Sequence, residues 1–481
     1  MRILLVLLCV FTAFAGCTKS ASVKTLPTAD TRFNLMTERL DTSDIFHYMV
    51  IKPDYFQLDF PSFFIGVEKA RKKVVGEPTF GTCPDPSAPC LKTGSDKYND
   101  KPDVARWIER LFGHGWDLTK DFKSHLPTHA ASYDGQAGNA KLIYNVYGTQ
   151  CAHKETAPPY TNYDLYNQGW SFILSLKKQL RDKIESEQAT HVFFFSMGWN
   201  TPQWEALANF TAFYNHIKTK AEQEGYFGNS FRPVVVCMTW PSFWPDKRGL
   251  IGSASDYPTM VDDADELGAS IANLIVQDVI GSIKKEQQAM GKDPISIVLV
   301  GHSLGALLVT RAADSGYLVT DNPAKIDLVV GLEGAFSAKR FLNKNQAWHL
   351  WFFPEIVEHS YYTSSQYDWA TDGPSKFFNK YYIGAYRTFA AVESGTMKED
   401  LSLPKKGWIL PKDKFNTTTL EKNGIPITGL PVCNKVTLVD ASKITFRNVP
   451  GTGGGAHSDI YSPEMGAFIW EAVKKCTIDT P

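Results

Sequence analysis

The chain has 481 residues, 43% hydrophobic and 21% charged, with a formal net charge of -1 at pH 7. That length suits one decorated α/β domain or roughly two to three smaller units. With near-neutral charge and no basic tail or acidic run, nucleic acid is not an expected partner.

The chain opens as a targeting segment. Met1 and Arg2 give a short positive start, and Ile3 to Ala15 is almost wholly apolar. A bilayer-spanning helix needs about 20 apolar residues, so this shorter run reads as a signal peptide over residues 1–16. It ends in Phe14-Ala15-Gly16-Cys17, which resembles a bacterial lipobox, with Phe14 in place of the usual aliphatic residue. Cys17 is the expected lipidation site, and the polar stretch from Thr18 to Thr31 reads as a tether. The expectation is export, with a lipid anchor on the bacterial envelope. Eight cysteines are present. Cys83 and Cys90 bracket a short proline-rich loop that can close as a disulfide in an oxidising compartment, while Cys237 lies in an apolar run and reads as a core thiol.

From residue 17 to about residue 139 the pattern is irregular and turn-rich. The rest, 140–481, reads as one catalytic domain. Lys141 to Val146 suggests a strand, and Tyr166 to Gln188 a helix. Apolar runs at His191–Phe195, Pro233–Met238, Ile295–Val300 and Ile326–Leu332 alternate with helical patterns at Gln203–Lys220, Asp262–Gln288 and Gly305–Ala313. Strands that are apolar throughout, each followed by a helix, predict a mostly parallel sheet covered on both faces. The alternation breaks after Phe336, and sixteen aromatics crowd Phe341 to Trp408. An insertion at about 338–432 fits this, either as a cap lining an apolar pocket or as a small satellite core. Val436–Asp440 resumes the strand pattern, and Pro463–Lys475 reads as a closing helix.

The chemistry concentrates at Gly301-His302-Ser303-Leu304-Gly305. This G-x-S-x-G sits between a buried strand and a helix, the setting of a nucleophile elbow, in which a strained turn lifts the serine clear of the sheet. A serine hydroxyl needs a base, and in this arrangement the partners follow in the order serine, acid, histidine. His302 adjoins the serine and cannot turn back to serve it. His457 lies in a loop behind Gly451-Thr452-Gly453-Gly454-Gly455 and just before the closing helix, where the base belongs; His349 and His359 read as cap or strand residues. Position alone leaves Glu333, Asp368 and Asp440 open as the acid, since each ends a strand after the elbow. The backbone N–H of Leu304 supplies one oxyanion donor. There is no H-E-x-x-H, no C-x-x-C pair and no P-loop, so no cofactor or metal is expected.

From about Ala189 to Ala472 the chain resembles a largely uncharacterised bacterial family of serine esterases with the α/β-hydrolase fold. The resemblance rests on Met197-Gly198-Trp199-Asn200, on Thr239-Trp240-Pro241-Ser242, on the elbow, and on Ala456-His457-Ser458 followed by Ser462-Pro463-Glu464. Tyr362-Thr363-Ser364-Ser365-Gln366-Tyr367-Asp368 is similar to the family's Tyr-x-Ser-x-x-Asp, with one residue more. The resemblance implies Asp368 as the acid and Trp199 as the second oxyanion donor, with Gly198 the alternative. It further implies hydrolysis of a small-molecule or lipid ester. Met197 stands where the family carries histidine, and Gly334-Ala335 where it carries Pro-Asp. A hydrolase fold that has lost turnover and serves as a surface binding module is the rival reading; an acyltransferase or peptidase would use the same site.

Overall fold

In a computed structural model the described residues are 45–50, 58–71, 142–145, 176–240, 242, 260–341, 354–377, 381–394, 415–430, 436–447 and 455–479, with single-residue gaps at 59, 202, 262, 266, 321 and 428. Cys17, Cys83, Cys90 and the signal segment lie outside them, as do Trp348 to Phe353.

Among the described residues ten strands form one sheet. They are β1 (Ile45–Val50), β2 (Ser62–Arg71), β3 (Leu142–Asn145), β4 (His191–Ser196), β5 (Pro233–Thr239), β6 (Ser296–His302), β7 (Ile326–Leu332), β8 (Val357–Ser364), β9 (Phe415–Thr419) and β10 (Val436–Asp440). Their order is β3-β1-β2-β5-β4-β6-β7-β8-β10-β9. From β2 onward all pairings are parallel; only β1 with its two neighbours is antiparallel. This is the mostly parallel α/β-hydrolase sheet that the sequence predicts. Its central strands β4, β5, β6 and β7 are buried almost throughout, which is why they read as unbroken apolar runs.

Among the described residues, the helices that accompany the sheet include α1 (Gln203–Gln223), α2 (Gly281–Ala289), α3 (Leu304–Asp314), α4 (Trp369–Phe377), α5 (Tyr386–Ser394) and α6 (Pro463–Val473). Every residue of α3 is buried. Ser462 caps α6, its side chain accepting from the Met465 N–H, with Pro463 in the first turn; such a cap is worth about 1 kcal/mol. The single amphipathic helix expected over Asp262–Gln288 is interrupted by π-helical turns at Gly268–Ala272 and Ile275–Ile280. Wide turns of this kind re-aim side chains within a helix. Here Asn273 reaches the carbonyl of Ser315 at 2.7 Å, and Gln277 accepts from the Ala324 N–H at 2.8 Å.

Two findings redraw the organisation read from the sequence. The sheet extends back into residues 45–71, inside the stretch that carries no clear pattern. The stretch 338–432 also contributes β8, which lies between β7 and β10, and β9 at the sheet edge. Tyr361, Tyr362 and Phe389 from this aromatic-rich stretch belong to the main core, while Tyr367 and Trp369 are exposed.

Candidate active site

The β6–α3 junction forms a strained turn. Ser303 adopts φ 55°, ψ -119°, a region that costs a non-glycine residue of order 1–3 kcal/mol and persists only where the surroundings enforce it. Enforcement comes from both sides. The Ser303 N–H donates to the Leu332 carbonyl at 2.9 Å, and the Ser303 carbonyl accepts from Ala306 and Ala335. The flanking glycines are needed for clearance: a Cβ on Gly305 would sit 2.4 Å from the Ser196 carbonyl oxygen and 2.6 Å from that of Met197. Gly305→Ala is therefore expected to cost 1–3 kcal/mol, the usual range for overpacking. Thermal unfolding would show it as a lower Tm; an unchanged Tm would mean that the β4 end yields freely.

The loop after β4 arches over the serine. A Cβ on Gly198 would meet Ser303 Cβ at 2.6 Å and Oγ at 3.3 Å. Trp240 fastens this loop by donating from Nε1 to the Met197 carbonyl at 2.7 Å, and the Asn200 N–H donates to the Ser242 carbonyl at 2.6 Å. The amides of Gly198 and Trp199 thus belong to a strand-end loop set against Ser303. The Leu304 N–H opens α3 from the other side, where first-turn amides have no intrahelical acceptor. Of the residues read as oxyanion donors, Gly198 lies against Ser303 and Leu304 follows it at the start of α3.

His457 lies in the loop before α6. Its Nδ1 donates to Asp368 Oδ2 at 2.9 Å. Asp368 follows β8 and is wholly buried. Its Oδ1 accepts from the Ala370 and Thr371 N–H groups at 2.9 and 3.2 Å, and Oδ2 also accepts from the Thr371 hydroxyl at 2.6 Å. Burial alone would raise this carboxyl, but His457 and Thr371 outweigh it and hold the acid below its usual range. Asp368 is thus an ionised acceptor, able to fix the tautomer of His457 and to stabilise its imidazolium. The acid and base loops are also joined through backbone: the Ala456 N–H donates to the Tyr367 carbonyl at 2.9 Å, and Asp368 bridges Gly455.

His302 ties the base to the elbow. Its Nε2–H donates to the His457 carbonyl at 3.0 Å, and the two rings lie 4.7 Å apart. Burial, reinforced by His457, lowers His302 to about 3, so it is neutral with the proton on Nε2. Sequence reasoning excluded His302 as the base and missed this positioning contact; an elbow histidine next to the nucleophile was the available signal. No hydrogen bond links Ser303 Oγ to His457 among the described residues. Such bonds often tighten only when substrate is present.

Among the described residues Asp368 alone of the carboxylates is hydrogen-bonded to the His457 ring. Asp440 Oδ1 caps the Ser442 N–H at 2.9 Å. Asp459 accepts from the Phe446 and Arg447 N–H groups and pairs with the Arg447 guanidinium. Glu333 ends β7, fully buried at φ 49°. His359 lies on β8. Among the described residues no group of three or more His, Cys, Asp or Glu side chains could hold a metal ion.

Residues 200–414 match the alpha/beta hydrolase family. No curated protein matches. Among solved structures, a cutinase from Trichoderma reesei in complex with a C11Y4 phosphonate inhibitor is 15% identical; the match spans 35% of this chain and 69% of that one, at a TM-score of 0.16. A cutinase-like protein from Cryptococcus sp. is 11% identical over 60% of this chain and 95% of its own, at 0.24. An acetylxylan esterase is 12% identical over 60% and 99%, at 0.23. Likenesses this distant carry no argument about activity. The parallel sheet, the strained serine between β6 and α3 and the family match over residues 200–414 agree on the α/β-hydrolase fold.

Proposed function

We propose that this protein is a serine hydrolase that cleaves carboxylic esters through an acyl-enzyme. The observation that carries the reading is the His457–Asp368 pair, 2.9 Å apart and held by backbone next to a serine at a strained elbow. In this mechanism His457 takes the hydroxyl proton as Ser303 attacks the ester carbonyl. The tetrahedral oxyanion rests on the N–H groups of Leu304 and Trp199, with Gly198 the alternative to Trp199. His457 returns its proton to the departing alcohol, and a water deprotonated by His457 then releases the acid. Asp368 orients the imidazole throughout.

The test is hydrolysis of p-nitrophenyl esters of increasing acyl length by protein lacking residues 1–17, with fluorophosphonate labelling alongside. Turnover with labelling of Ser303 supports the reading, and the best chain length sizes the acyl pocket. Absence of both favours the binding-module reading, which Met197 motivated. Labelling without ester turnover points to amide or acyl-transfer chemistry. Export and anchoring through Cys17 are part of the same proposal, supported by the N-terminal sequence. In cells, incorporation of a fatty-acid analogue that Cys17→Ser abolishes is the expected result; incorporation that survives Cys17→Ser would count against it.

A further inference from the structure

The loop that carries the base is fastened on both sides of His457. Upstream, the Ala456 N–H donates to the Tyr367 carbonyl at 2.9 Å. Downstream, the peptide that leaves His457 is held from the elbow: His302 Nε2 lies 3.0 Å from the His457 carbonyl oxygen. A carbonyl only accepts, so this nitrogen of His302 carries the proton. The His302 ring is enclosed. It faces the His457 ring at 4.7 Å and 41°, and meets the Tyr461 ring edge-on at 6.2 Å. Tyr461 is held in turn by Asn209 on α1, whose Nδ2 donates to its hydroxyl at 2.9 Å. His302 is 4% exposed, and its Nδ1 has no hydrogen-bond partner among the described residues. The side chain thus directs its single donor at the main chain of the base.

We infer that His302 is a positioning residue whose Nε2–H holds the His457 peptide where the imidazole can serve Ser303. Asp368 orients the ring through Nδ1, but a ring is only as well placed as the backbone beneath it. His457 follows Gly451-Thr452-Gly453-Gly454-Gly455, and glycines leave a chain with many backbone conformations to choose from. A displacement of about 1 Å at a reacting group can cost about 10²-fold in rate, so a hydrogen bond on the base's own peptide has kinetic weight. The bond also persists through the reaction. When His457 takes the serine proton, its carbonyl remains an acceptor. His302 stays neutral at that stage, because burial, reinforced by His457, lowers it to about 3, and a second proton would sit on Nδ1 with no acceptor. A charged ring 4.7 Å away would compete with His457 for the proton; the neutral ring does not.

The positioning role rests on the hydrolase reading above; the proton on Nε2 does not. Two variants separate the donor from the ring. His302→Gln places an amide N–H near the site of Nε2, and His302→Phe keeps a ring without a donor. Each is compared with the wild-type chain for kcat and KM on p-nitrophenyl esters and for the rate of fluorophosphonate labelling, which needs Ser303 and His457 but no deacylation. H302F should lower kcat and the labelling rate about tenfold at little change in KM, the scale of one neutral hydrogen bond. H302Q should recover most of that loss. Full activity in H302F, or equal losses in the two variants, overturns the inference, since packing alone would be served by the ring. The wild-type chain gives a readout that needs neither variant to fold. With histidine ring nitrogens labelled with 15N, and the ring of His302 assigned through its own backbone, that ring should stay neutral and protonated at Nε2 from about pH 5 to 8, where an ordinary histidine titrates. A proton on Nδ1, or titration in that range, overturns the inference even if esters are turned over. Absence of turnover and of labelling in the wild-type chain, with the 15N result as expected, sinks the hydrolase reading and the role that depends on it.

Discussion

Ser303→Ala should abolish ester turnover, with kcat falling by about 10⁶-fold while a residual 10³–10⁴-fold acceleration over water remains. The size follows from the mechanism. Without Oγ there is no acyl-enzyme, and the only help left is the oxyanion site and substrate placement. The fold should be unaffected, because the strain at Ser303 is imposed by backbone hydrogen bonds to Leu332, Ala306 and Ala335, which alanine keeps. Single-turnover assays with the best p-nitrophenyl ester would measure the loss. Retention of more than a few per cent of activity by a folded S303A protein would remove Ser303 from the mechanism.

Asp368→Asn is the second large effect, expected at about 10⁴-fold in kcat, the scale seen when a triad acid loses its charge in place. Asparagine fits the same cavity. The Ala370 and Thr371 N–H groups hold the side-chain oxygen in the Oδ1 place, so the amide nitrogen takes the Oδ2 place that faces His457 Nδ1. That donor forces the proton onto Nε2, and the imidazole can no longer accept from the serine. Asp440→Asn serves as the comparison. Its carboxylate caps Ser442 instead, so kcat should change little. Loss of activity in D440N with survival in D368N would reverse the assignment.

The sequence displayed the central sheet because β4 to β7 are buried on both faces, and such strands cannot hide their apolar composition. The outer strands were harder to read. β9 is Phe415 followed by polar residues, legible as a strand only through its parallel pairing with β10. β1 and β2 pair over a short antiparallel register, but β2 then joins β5, more than 160 residues on. No local pattern records a partner at that distance. The elbow was legible because its geometry demands glycines at fixed spacing. The acid was not: Glu333, Asp368 and Asp440 all end strands of a parallel sheet, so in one dimension they are equivalent. What separates them is which strand end faces the loop before α6. The hydrogen bond from His302 to the His457 carbonyl joins the elbow to the loop before α6 and left no mark in the sequence.

The backbone link between the acid and base loops has a consequence for how the protein would fail on heating. Because Ala456 is hydrogen-bonded to Tyr367 and Gly455 bridges Asp368, neither loop can peel away without releasing the other. Their amides should exchange with deuterium as one cooperative unit, and activity should be lost in one step. There would be no stage at which a displaced histidine still faces an intact acid.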